Sequence, residues 1–328
     1  MRLRVIVVVL SLILLPAVRQ AQSVEPADWT PSRTPSGHPD LQGVWDYRTM
    51  TPLERPASLA DTPFFTPEEA AAYERESVAR RDKDRRTEDG LSAQADVAAA
   101  YNEFWWDYGK TLSDLRTSLI VDPPDGRIPG LTPAATAAAA ARREARRGRG
   151  PTPGPENRGL WERCLTLGVP RLSGAYNNNF QLFQSAGHVV ILNEMIHDAR
   201  IIPLDGGPHV DPKIRQWLGN SRGRWDGDTL VVESTNFSDK TSFRGAREHL
   251  QLTERFTRVG PDTLLYEVTV EDQTTFERPW TFALPMHRNE GLVYEYACHE
   301  GNYGMVNLLL GARVEDATLA VADGSDGR

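Results

Sequence analysis

The chain has 328 residues, enough for one large domain or two ordinary ones, and its 40% hydrophobic and 25% charged residues describe a globular protein with a real core. Its 37 Lys and Arg face 45 Asp and Glu, a formal charge of −8, which argues against a protein whose main task is gripping nucleic acid. Two cysteines exclude a zinc ribbon or a four-thiolate iron–sulfur site.

Residues 1–23 read as an address. Arg2 and Arg4 precede an apolar run over residues 5–18, and Ala21-Gln22-Ser23 follows, the parts of a secretory signal peptide. The run is shorter than the roughly 20 apolar residues that a membrane-spanning helix needs. An exported protein is therefore expected, periplasmic or secreted, with no membrane span in its mature form. Disulfides persist in oxidising compartments, so Cys164 and Cys298 are expected to be bridged; two buried free thiols or a reactive thiol beside His299 are the alternatives.

Residues 24–133 form an arm with a helix and the first strands. Thr66-Pro67-Glu68-Glu69 is a capping box with proline at the first helical position, and it predicts a helix to about residue 86. Residues 101–108 (YNEFWWDY) are aromatic and expected to pack the arm onto the rest. Strands are predicted over residues 117–121 and 127–131, around the turn Pro123-Pro124-Asp125-Gly126. Residues 134–158 are an insert: an Ala/Arg helix over 134–147 with little to bury, then a Gly/Pro linker.

From residue 159 onward the pattern is of short antiparallel strands, expected to be the core. Residues 189–195 and 199–204 alternate in polarity, and 223–232 read as a hairpin turned by Asp226-Gly227. Residues 250–259 and 263–271 pair across Gly260-Pro261-Asp262, and strands over 280–286 and 292–299 follow. About ten strands with few helices between them indicate a sandwich or barrel, and sequential hairpins favour an antiparallel up-and-down meander closed into a barrel.

Asp40-Leu41-Gln42-Gly43-Val44-Trp45 resembles the Gly-X-Trp of the lipocalin-like (calycin) first strand, where the tryptophan plugs one end of the barrel. Taken with residues 116–129 (RTSLIVDPPDGRIP), 177–181, 194–203, 217–237 (WLGNSRGRWDGDTLVVESTNF) and 294–304 (YEYACHEGNYG), it resembles a large family of exported, loosely lipocalin-like bacterial proteins. The resemblance implies export and a β-rich, barrel-like fold; it carries no assigned activity, cofactor or catalytic residue.

Function must then be read from chemistry. His299-Glu300 lacks the second histidine of a zincin helix, and Asp226-Gly227-Asp228 lacks the remaining ligands of a calcium loop. No nucleophile elbow, phosphate loop or dinucleotide fingerprint occurs. What stands out is ionisable groups on apolar strand faces. Glu194 shares parity with Val190, Leu192 and Ile196; Glu254 with Leu250, Leu252 and Phe256; His197 with Val189, Ile191 and Met195. An unpaired buried charge costs several kcal/mol, so these groups must be paired, neutral or wet, with Arg200, Arg215, Arg224 and Arg255 as available partners.

If the ends of two strands meet, His197, His299, Glu194 and Glu300 form an acid–base cluster, and His197, His299 and Glu300 could hold a divalent metal, the one cofactor the pattern admits. Asn177, Asn179, Arg200, Arg215, Trp225 and Tyr296 are candidate ligand-binding residues, with Trp217, Trp280 and Tyr294 completing an aromatic mouth. The expectation is a β-barrel that binds a small hydrophobic or aromatic molecule. The alternative is a lyase, isomerase or hydrolase acting on such a molecule through the His/Glu cluster.

Overall fold

The computed structural model describes residues 29–81, 106–147 and 154–325. The expected leader, residues 101–105 of the aromatic stretch and the end of the first helix past Arg81 lie outside the described residues. The strands are β1 (Gly43–Asp46), β2 (Ile120–Asp122), β3 (Asn179–Gln184), β4 (His188–Asn193), β5 (Ala199–Pro203), β6 (Asn220–Asp226), β7 (Thr229–Thr235), β8 (Gln251–Gly260), β9 (Thr263–Glu271) and β10 (Trp280–Asn289). The helices are α1 (Pro67–Arg81), α2 (Pro133–Arg147) and α3 (Tyr303–Ser325). No helix among the described residues is long and apolar enough to cross a membrane.

Local chemistry accounts for most of these elements. Thr66 N–H donates to Glu69 Oε2 at 2.7 Å and Glu69 N–H to Thr66 Oγ1 at 3.2 Å, so the capping box closes in both directions at the start of α1. β6 and β7 join through a two-residue turn in which Gly227 takes φ +58°, the left-handed backbone that such a hairpin requires. β8 and β9 pair across Pro261-Asp262, and along β8 Leu252, Glu254 and Phe256 are buried.

The ten strands form a single antiparallel sheet with the order β5-β4-β3-β1-β10-β9-β8-β7-β6, β2 pairing with β10. The chain thus meanders outward from β1 on one side and returns on the other until β10 pairs with β1. β1 and β2, which precede the insert, belong to the same sheet as the strands after it. The hydrogen-bonded order ends at β5 and β6 and does not close. Those edges nevertheless lie side by side. Gly223 of β6 makes the approach possible, because a Cβ there would stand 2.7 Å from Leu204 Cδ2 and 2.9 Å from Ile202 Cγ2.

One face of the sheet is packed with large side chains. Phe180, Phe256, Tyr266, Phe282, Trp280 and Phe276 form a continuous chain of ring contacts with centroids 4.8–6.3 Å apart. Trp45 is fully buried, its Nε1 donating to Leu41 O at 2.9 Å, and the Arg258 guanidinium lies 5.9 Å from its ring centre.

Four sequence expectations are corrected. Residues 292–299 form no strand: after Asn289 the side-chain amide oxygen caps Gly291 N–H, and the chain runs without a ladder partner to the disulfide. Residues 127–131 make only the single bridge Leu131 to Phe276, since Pro129 has no N–H to donate. The strand expected over 189–195 stops at Asn193, and Met195–His197 is a 3₁₀ turn with Ile196 at φ 62° and His197 at φ 48°. Its inner face is Val189, Ile191 and Asn193, so Glu194 is not in line with an apolar stripe and His197 does not continue the buried one. Residues 303–325 are helical, α3 being rich in Leu and Ala.

Candidate functional site

Where β5 and β6 fail to exchange backbone hydrogen bonds, side chains span the gap. Arg200 projects inward from β5, and its guanidinium reaches Glu254 on β8 through both nitrogens, Nη1 to Oε1 at 3.0 Å. Nη2 also donates to Ser221 Oγ of β6 at 3.0 Å and to Ser234 Oγ of β7 at 3.1 Å. Tyr266 of β9 donates its hydroxyl to Glu254 Oε1 at 2.6 Å. This row of polar groups crosses five strands of an otherwise apolar interior. Glu254 and Tyr266 are buried, and burial, then the Glu254 charge, push the Tyr266 hydroxyl far above its ordinary pKa. Its proton therefore stays in place to satisfy the carboxylate.

A second pair fastens the segment 160–170 across the same region. Asp198 Oδ2 accepts from Thr166 Oγ1 at 2.8 Å, from Leu167 N–H at 3.3 Å and from Arg171 Nη2 at 3.0 Å. Burial raises the Asp198 pKa, and burial lowers that of Arg171. Cys164 and Cys298 are joined by the expected disulfide, and Cys164 lies within this segment.

Two neighbouring cavities result. A cleft of about 490 Å³ opens between the β5 and β6 edges; Asp198, Arg200 and Ile201 line one side, and Arg215, Trp217 and Ser221 the other. A smaller hollow of about 220 Å³ lies beside it, and Thr166 and Trp217 line both. Arg200 Nε is buried with no hydrogen-bond partner, a spare donor on a residue that lines the cleft. Arg215 donates Nη1 to Glu248 O at 2.6 Å and forms no ion pair among the described residues.

Of the candidate ligand-binding residues, Arg200 and Arg215 line this cleft. The others stand elsewhere. Trp225 stacks on His38 with ring centres 4.6 Å apart, and Tyr296 on Tyr176 at 6.4 Å. Asn177 takes φ 56° in a turn and offers its carbonyl to Tyr47, while Asn179 donates to Glu194 Oε2 at 2.8 Å and accepts from Asn289. The aromatic mouth is not assembled: Trp280 is fully buried and Tyr294 is exposed.

The acid–base cluster does not form either. His197, His299 and Glu300 are exposed, whereas Glu194 is buried against Asn179. The expected strand ends do approach each other, since His197 Nδ1 lies 3.3 Å from Tyr296 O, but they bring imidazole to backbone and not to a second imidazole. Among the described residues no three His, Cys, Asp or Glu side chains are placed to hold a metal, so His197, His299 and Glu300 are not a ligand set. The reason is the 3₁₀ turn, which ends β4 before His197, together with the lack of any strand to carry His299.

Sequence reasoning passed over Asp198, Ser221, Ser234 and Tyr266 as site residues. Glu254 carried the usable signal, an acid inside the alternation Leu252, Glu254, Phe256, because it demanded a buried cation. Models of protein families, the curated proteins and the solved structures contain nothing that matches this chain.

Proposed function

We propose that the chain is an exported binding protein, its sheet an open barrel of the calycin type, which holds a small amphipathic molecule in the cleft at the β5–β6 seam. The first-to-last pairing of β1 with β10, and the side-by-side edges β5 and β6, support an almost closed barrel. The leader pattern of residues 1–23 and the Cys164–Cys298 bridge support export.

The observation that carries the binding reading is the cleft itself. It lies at a break in the backbone ladder and is lined by Arg200, by Arg215, which has no ion-pair partner among the described residues, and by the apolar side chains of Ile201, Leu165 and Trp217. Ile201 is 66% exposed and Trp217 37% exposed, apolar surface that an occupant would take from water. A cleft of this size with polar and apolar side chains side by side suits an amphipathic small molecule. The ion pairs Arg200–Glu254 and Arg171–Asp198 hold the walls, and Arg215 meets the ligand's acidic or acceptor-bearing end.

Titration with 8-anilinonaphthalene-1-sulfonate, an anionic aromatic probe, tests the reading by fluorescence. Saturable binding is expected, weakened about tenfold by Arg215→Gln and by Trp217→Ala, with the far-UV circular dichroism of both variants unchanged. Absence of saturation, or identical titrations for parent and both variants, overturns it.

A further inference from the structure

The smaller hollow narrows the chemistry of the ligand. We propose, resting on the cleft reading above, that the occupant is a monocyclic aryl carboxylate: its ring fills the hollow and its acidic arm passes Thr166 and Trp217 to Arg215.

Three observations carry this. The first is adjacency, because Thr166 and Trp217 line both cavities, so an occupant that spans the two must pass these side chains. The second is the character of the walls. Trp161, Trp217 and Phe243 line the hollow, and Phe243 is held by stacking on the buried Trp280 with ring centres 5.9 Å apart. Trp161 is 52% exposed, an indole with water on one side where a flat ring would gain stacking as well as burial. A cavity of about 150 Å³ suffices for benzene, so the hollow's 220 Å³ takes one ring with a short substituent.

The third observation is charge. The carboxylate nearest the cleft, Asp198, is already engaged by Arg171, Thr166 and Leu167, whereas Arg215 in the cleft and Lys240 at the hollow have no ion-pair partner among the described residues. A pair of cavities with surplus cations and aromatic walls selects an aromatic anion over a neutral or cationic one.

Isothermal calorimetry on the disulfide-bonded protein tests this with benzoate, phenylacetate, 3-phenylpropanoate and 4-phenylbutanoate, alongside the cyclohexyl counterpart of the tightest binder, its neutral amide and n-hexanoate. One arm length is expected to bind about tenfold more tightly than n-hexanoate. Trp161→Ala should abolish that advantage and Trp161→Phe keep most of it, while Arg215→Gln should cost about tenfold for the carboxylate and little for the amide. Equal affinity for the cyclohexyl counterpart, or aryl binding untouched by Trp161→Ala, overturns the proposal. Binding of n-hexanoate that depends on Arg215 but shows no aryl preference would sink this inference and keep the cleft. Failure of every carboxylate to bind would also sink this inference, while the cleft reading stands or falls on the anilinonaphthalenesulfonate titration.

Discussion

The β8–β9–β10 wall and the β5–β6 seam solve one problem in two ways. In the wall, long antiparallel ladders satisfy the backbone, and the inner face packs through Leu264, Val268, Val270, Phe282, Leu284 and Met286, with Glu254 and Tyr266 as its polar exceptions. At the seam no ladder exists, and the strands are tied from inside by Arg200, Glu254, Ser221 and Ser234 and from outside by the disulfide-anchored segment on Asp198. The contrast teaches where a cavity is affordable. A wall held by its own backbone leaves no gap, whereas side-chain ties reach across a space that a ligand can enter.

That contrast can be broken most forcefully at the disulfide. The Cys164–Cys298 bridge spans 134 residues of sequence. Replacing both cysteines by serine should remove about 5 kcal/mol on the chain-entropy estimate for a loop of that size, measured by urea unfolding. The loss should be accompanied by a weaker probe titration at the cleft if the 160–170 segment shapes it.

Glu254→Leu comes next, at about 3–5 kcal/mol, because it strands the Arg200 guanidinium in the interior. The double variant Arg200→Met, Glu254→Leu should recover much of that loss, since an apolar pair of similar volume can replace a buried ion pair. Equal destabilisation by the single and double variants in urea would show that the seam depends on the charges as such.

Alkaline pH probes a buried hydroxyl outside both regions. Tyr47 is buried beside Arg171 and Glu194, and burial pushes its hydroxyl up to about 12. The folded protein therefore holds a proton that the unfolded chain sheds near pH 10. Stability from this group is complete below pH 10 and is lost as pH rises toward 12, a fall of about 2–3 kcal/mol. Tyr47→Phe should flatten that part of the unfolding profile.

The smallest expected effect is at the closed end of the seam. Gly223→Ala places a Cβ against Ile202 Cγ2 and Leu204 Cδ2 and should cost about 1–2 kcal/mol by overpacking. A neutral result would mean that β5 moves away at little cost, and faster amide exchange in β5 than in β9 would then be expected.

Legibility followed the range of the forces involved. The Thr66–Glu69 box, the Gly227 hairpin and the β8–β9 pair were readable because each depends on residues a few positions apart. The strand Asn179–Gln184 was missed because its inner face, Phe180 and Leu182, follows an asparagine run that reads as a turn. The strand placed over 292–299 was wrong because Leu292, Tyr294 and Tyr296 alternate like a strand yet find no partner. At the site, Arg200 and Glu254 were each visible as charges on strands, but nothing in the chain showed that they face each other across 54 positions.

By itself the sequence determined a β-rich chain of hairpins, a capped first helix and a pair of cysteines with one possible intramolecular bridge, since turn stereochemistry, side-chain alternation and thiol count are local or countable properties. Only the tertiary structure decided that β10 returns to β1, that the ladder breaks between β5 and β6, and that Asp198, Arg200, Arg215 and Trp217 surround the resulting gap. Those facts depend on pairings and approaches between strands far apart in the chain, which no single segment encodes.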